Sequence, residues 1–160
     1  MNNTVFSDEM AADIMTTHLT IQIVATETLI SAPSGTLRIP VGDSVIDGFM
    51  FQHSPVTPYE AEIAIEHIEN CIIPARAKLP AGELVLHCVD LRLNHLFYGD
   101  KTDYLLTTEI ECAFNEVVNV INGSPVSSTS IPSDKQFTAF LLIIREITHH
   151  WGLDGLVQDN

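Results

Sequence analysis

Two groups of residues in this sequence bring imidazole and carboxylate side chains to spacings that chemistry can use. The first is Glu146-Ile147-Thr148-His149-His150, a Glu-x-x-His spacing with a second histidine beside it. On a helix, residues three apart share a face, so a carboxylate and an imidazole would point the same way. Helical bundles with di-metal sites use two such pairs together with Glu residues from further helices. This chain has no second Glu-x-x-His. Glu146, His149 and His150 are therefore candidates for one divalent metal, zinc for instance, with ligands supplied from elsewhere. A purely structural account competes: last-turn histidines are favoured by the negative helix end, and Arg145 and Glu146 reach His149 and His150 at i,i+4.

The second group is His87, Asp90 and His95. A histidine on a covered strand next to a strand-end aspartate is the material of an acid–base pair with displaced pKa values. The competing account is a buried, hydrogen-bonded His87 and an Asp90 that caps a short helix. If the strand runs straight, His87 and Asp90 also point to opposite faces, which weakens the pair. Glu62, Glu66 and Glu69 form a third feature, an acidic helix face beside His67. Such a face either meets a basic protein or is simply solvated.

Several signatures are missing. There is no Gly-rich phosphate loop, Gly-x-Ser-x-Gly, His-Glu-x-x-His or paired CxxC. Cys71, Cys88 and Cys112 all sit in apolar contexts and read as buried reduced thiols.

The elements that must position these residues are legible in part. Phe137 to Trp151 is the strongest: Phe137, Phe140, Leu141, Ile143, Ile144, Ile147 and Trp151 share one side of a helix, opposite Thr138, Arg145 and His149. Ser133 as N-cap with Gln136, and Gly152 as left-handed stop, bound it. Thr57-Pro58-Tyr59-Glu60 is a capping box opening a helix to about Ile73. Thr108 with Glu111 opens another, ended at Asn122-Gly123. Strands are expected from Leu19 to Ile30, Thr36 to Val41, Val45 to Gln52 and Glu83 to Val89, with a short helix from Leu91 to Tyr98. A short helix could open at Ser7, and a continuous helix from Asp8 to Leu29 is the rival to the first strand. From Leu153 the chain reads as a tail, loose from Gln158. The order predicts an α+β fold: a small, mainly antiparallel sheet of three to four strands packed by three longer helices in two layers. One domain over residues 1–160 is expected, with frayed ends near 1–6 and 158–160.

Composition narrows the function classes. Asp and Glu number 21 against 7 Lys and Arg, a net charge of −14, which repels phosphate backbones and anionic membranes. The chain is 46% hydrophobic with a mean hydropathy of +0.20, too apolar for disorder. No apolar run approaches the ~20 residues of a membrane span, and Met1 to Asp13 lacks a secretory signal; the cytoplasm is the expected compartment. The reading is a small acidic cytoplasmic binding or accessory protein that self-associates as a homo-oligomer or meets a basic surface, needing no cofactor. The alternative is an enzyme using a divalent metal at the His/Glu cluster of the last helix.

Overall fold

The structure, a computed structural model, describes residues 16–159. The short helix expected from Ser7, the frayed stretch 1–6 and Asn160 lie outside these residues.

The chain begins with a meander. β1 (Thr17–Ile23), β2 (Thr28–Ala32) and β3 (Gly35–Ile39) pair antiparallel in succession. One strand was expected from Leu19 to Ile30, but the chain turns at Val24–Glu27, where the Val24 N–H donates to the Glu27 carbonyl at 3.0 Å. That turn contains no Gly, Pro, Asn or Asp, so its residues carry no turn signal. The strand expected from Val45 to Gln52 is replaced by isolated bridges of Ile46 to Val41 and Phe49. Asp47 and Gly48 take the left-handed conformation, at φ 46° and 82°, which reverses the chain where a strand would continue.

Helix α1 (Pro58–Ala75) follows the expected capping box: the Thr57 side chain accepts from the Glu60 N–H, and Glu60 accepts from the Thr57 N–H. It carries the chain back so that β4 (Leu84–Cys88) lies parallel to β1, the arrangement a helical crossover produces. Leu91–His95 is a 3-10 turn capped by Asp90. β5 (Tyr104–Leu106), α2 (Thr107–Ile121), α3 (Lys135–His150) and β6 (Gly155–Gln158) complete the fold.

The result corrects the expected sheet. It has six strands in the order β3-β2-β1-β4-β6-β5, mixed rather than mainly antiparallel. The β1/β4 and β4/β6 pairs are parallel and β5/β6 is antiparallel. The tail expected to be loose from Gln158 is strand β6, inserted between β4 and β5. Gln158 is 5% exposed, and the Asp159 N–H donates to the Cys88 carbonyl at 3.0 Å.

The faces of this sheet differ. Leu19, Ile21, Ile23, Leu84, Leu86 and Leu156 are buried in one core with the helices, while His18, Thr20 and Gln22 of β1 are exposed. Among the described residues, the helices therefore cover one face and no element covers the other. α3 lies between α1 and α2, and Trp151 at its end donates from Nε1 to the Ile72 carbonyl at 2.9 Å. Thr138, expected on its polar side, is buried, as is Glu146, because a helix flanked by two others is enclosed nearly all round.

Candidate functional site

Of the catalytic candidates, only His87 finds a catalytic type of partner. It lies on β4 on the open face, half-buried. Its Nδ1 donates to Asp159 Oδ2 at 3.1 Å, and its Nε2 lies 2.9 Å from Nδ1 of His18 on β1. Register accounts for the meeting: Thr20 is opposite His87, so His18 is one step diagonal on the same face, while Val157 of β6 sits on the other side. Neither His18 nor Asp159 was singled out in the sequence. Nothing near either one signals the other, since His18 and His87 lie on β1 and β4 and Asp159 directly follows β6.

Asp90 and His95 are not brought together with His87. Asp90 caps the 3-10 turn and binds Arg92, whose Nη2 is 2.7 Å from Asp90 Oδ2 and whose Nη1 is 2.8 Å from Asp43. The guanidinium also stacks 4.1 Å from the centroid of Phe140, which ties the carboxyl ends of β1 and β4 to α3. Burial opposes ionisation of Asp90, but the hydrogen bonds and charge of Arg92 outweigh it and hold the carboxyl below its ordinary range. The exposed His95 packs edge-on against Phe137, centroids 5.6 Å apart.

The metal candidates divide too. Glu146 is 2% exposed and His150 half-buried, and Glu69 of α1 joins them: His150 Nε2 is 2.9 Å from Glu69 and 3.4 Å from Glu146. Among the described residues, Glu69, Glu146 and His150 form the group whose ligand atoms all lie within 4.8 Å of one another. His149 is exposed and turns its ring edge-on to His150, centroids 4.9 Å apart, so it lies outside the trio. The second Glu146 oxygen is taken by Arg145 Nη1 at 2.8 Å, and Arg145 Nε reaches Glu111 of α2 at 2.9 Å. The trio is thus one end of an ion chain that joins all three helices, with Glu146 already matched by a cation.

The thiols separate by burial. Cys88 is buried and Cys71 half-buried; burial pushes each up to about 11, aided at Cys71 by the nearby Asp47. Cys112, expected to be buried, is exposed.

The outer sides of α1 and α2 leave a groove above α3. Ala61, Ile65, Phe114, Val118 and Ile121 line it, Leu142 forms its floor and Glu62 its rim, enclosing about 220 Å³. Arg145 lies over the Phe114 ring, 4.1 Å from its centroid, and so fixes one wall of the groove.

No family model and no curated protein matches the sequence. Solved structures match in shape. The Aquifex aeolicus Ppx/GppA phosphatase, type II variant, superposes with a TM-score of 0.65 at 13% identity, over 89% of this chain and 53% of that one. Another crystal structure of the Aquifex aeolicus member of that family gives 0.63 at 13% identity, over 89% and 52%. An exopolyphosphatase-like protein gives 0.55 at 11% identity, over 90% and 54%. The chain spans about half the length of these structures. What it shares with them is the fold of a Ppx/GppA-type domain.

Proposed function

We propose that this chain is an acidic binding or accessory domain of the cytoplasm that recognises a basic amphipathic helix in the groove between α1 and α2. The observation that carries this reading is the pairing of an apolar cleft with helices that contain no Lys or Arg. Glu69 and Glu111 are already engaged by His150 and Arg145, whereas Glu62 on the groove rim and Glu66 one turn along α1 are exposed. An amphipathic helix laid in a groove buries its apolar anchors, and Lys or Arg on its flanks would meet these carboxylates. The cytoplasm agrees with free thiols at all three cysteines and with the lack of any described helix long and apolar enough to cross a membrane.

Self-association, the other expectation, gains nothing from this groove. Two copies each carrying −14 repel where their acidic helices would face one another. Contact between copies would have to use the open sheet face instead, and solution mass at low and high salt checks it.

Phosphatase activity, named for two of the structural neighbours, has less support. A phosphate cradle uses glycines and free backbone N–H groups. The β1–β2 turn has no glycine, and its Val24 N–H is already committed to Glu27.

The test is fluorescence anisotropy with a labelled Leu/Lys amphipathic helix and its Leu/Glu counterpart. The Lys peptide should bind, should weaken at least tenfold from 50 to 500 mM salt, and should lose binding in Ile65→Glu. Equal binding of both peptides, or of neither, rejects the groove. A second reading is a metal-dependent enzyme at Glu69, Glu146 and His150, favoured by the convergence of their ligand atoms. It requires hydrolysis of a phosphate ester or polyphosphate that depends on added Mg²⁺, Mn²⁺ or Zn²⁺ and disappears in Glu146→Gln.

A further inference from the structure

Neither reading uses the hydrogen-bonded cluster of His18, His87 and Asp159 on the open sheet face. We propose that His18 and His87 form a two-imidazole site for a divalent transition metal, with Asp159 as the residue that positions His87.

The chemistry follows from the hydrogen-bond roles. A carboxylate can only accept, so His87 must carry its proton on Nδ1, where Asp159 lies 3.1 Å away. A neutral His87 then presents a lone pair at Nε2, aimed at His18 Nδ1 at 2.9 Å. A metal-binding histidine typically has this form: one nitrogen holds the ion while the other donates to a carboxylate that fixes tautomer and ring plane. Asp159 is itself anchored, since its N–H donates to the Cys88 carbonyl at 3.0 Å.

The spacing is also suitable. Two imidazole nitrogens at Zn–N distances of about 2.0–2.1 Å and tetrahedral angles lie about 3.3 Å apart. Opening the present 2.9 Å contact by that small amount needs only side-chain rotation, because the parallel pairing of β1 and β4 sets the backbone. Loading the ion displaces the proton that His18 holds on Nδ1 in this contact; the exposed ring takes up a proton at Nε2 from water, so both imidazoles stay neutral. His18 is exposed and no element among the described residues covers this face, so the remaining coordination positions go to water or to an incoming ligand. Imidazole donors select zinc, copper or nickel over magnesium or calcium. The cluster is separate from Glu69, Glu146 and His150, which are on helices of the other face.

The experiment is calorimetric titration of the full chain with Zn²⁺, with Mg²⁺ as control. Zinc affinity should fall at least tenfold in His18→Ala and in His87→Ala. It should fall about tenfold in Asp159→Asn, the usual effect of losing an orienting carboxylate, and stay unchanged in Glu69→Gln/His150→Ala. Circular dichroism confirms that each variant is folded; His18→Ala removes an exposed ring and tests the site even where His87→Ala does not fold. Electron paramagnetic resonance of the Cu²⁺ form should show coupling to two imidazole nitrogens. Zinc affinity that survives His18→Ala, that is lost only in the Glu69/His150 variant, or a Cu²⁺ spectrum with oxygen ligands alone overturns the proposal.

Discussion

Glu146 and Asp90 are both acidic residues in partly closed surroundings, and each is answered by an arginine from nearby in the sequence. Glu146 is 2% exposed and held by Arg145 at 2.8 Å. Removing one partner of a buried pair leaves an uncompensated charge, and such losses run to about 3–5 kcal/mol. Arg145→Ala should therefore destabilise the protein by about 3 kcal/mol in urea unfolding, whereas an exposed pair such as Glu27–Arg38 should be worth under about 1 kcal/mol. Asp90 makes a pH prediction. Its folded pKa is depressed, so its contribution is complete above the unfolded value of about 3.9 and is lost as pH falls through the lower folded value. The stability gap between wild type and Asp90→Asn should be constant at neutral pH and close on acidification below about pH 4. A gap that stays constant down to pH 2 would show that Arg92 does not govern this carboxyl. At this scale the sequence revealed residue types well and partners poorly. His87 and Glu146 stood out, but Asp159, His18 and Glu69 reach them only through the sheet register and the packing of α1 on α3.

Among the elements, helix starts and strands were legible to different degrees. The Thr57–Glu60 box is local, made within four residues, and forms as its spacing implies. At α3 the expected cap, Ser133, gives way to Asp134, whose side chain accepts from the Phe137 N–H at 3.0 Å. Both residues are good caps, and only the path of the chain decides between them. At α2 the cap is shifted by two residues: Glu109 accepts from the Leu106 N–H, while Glu111 is left free to bind Arg145. Asp134→Ala should cost about 1 kcal/mol and Ser133→Ala under about 0.5 kcal/mol, read from denaturant midpoints. Equal costs would return the cap to Ser133. The strands missed were β5 and β6, three and four residues long. Segments that short show no alternation to read. Gly155 does carry a reason that becomes visible only in the sheet. A Cβ there would collide with the Leu105 carbonyl and the Tyr104 ring, so Gly155→Ala should destabilise the β5–β6 pair.

For the molecule as a whole, β6 is the decisive piece. It fills the place between β4 and β5, so ending the chain at Asp154 should abolish cooperative unfolding; a truly loose tail could be cut without effect. The sequence by itself determined what depends on neighbours a few residues away. That covers the three helices, the capping box, the acidic balance and the absence of a glycine phosphate loop. It also covers the burial of Phe140 and Ile144, both 0% exposed, because helical periodicity and side-chain hydrophobicity act locally. The tertiary structure alone decided the mixed order of the sheet, the place of β6, and the meetings of His87 with Asp159 and of His150 with Glu69. Each of those pairings joins residues far apart in the chain, and its strength comes from a register and a packing that no short stretch contains.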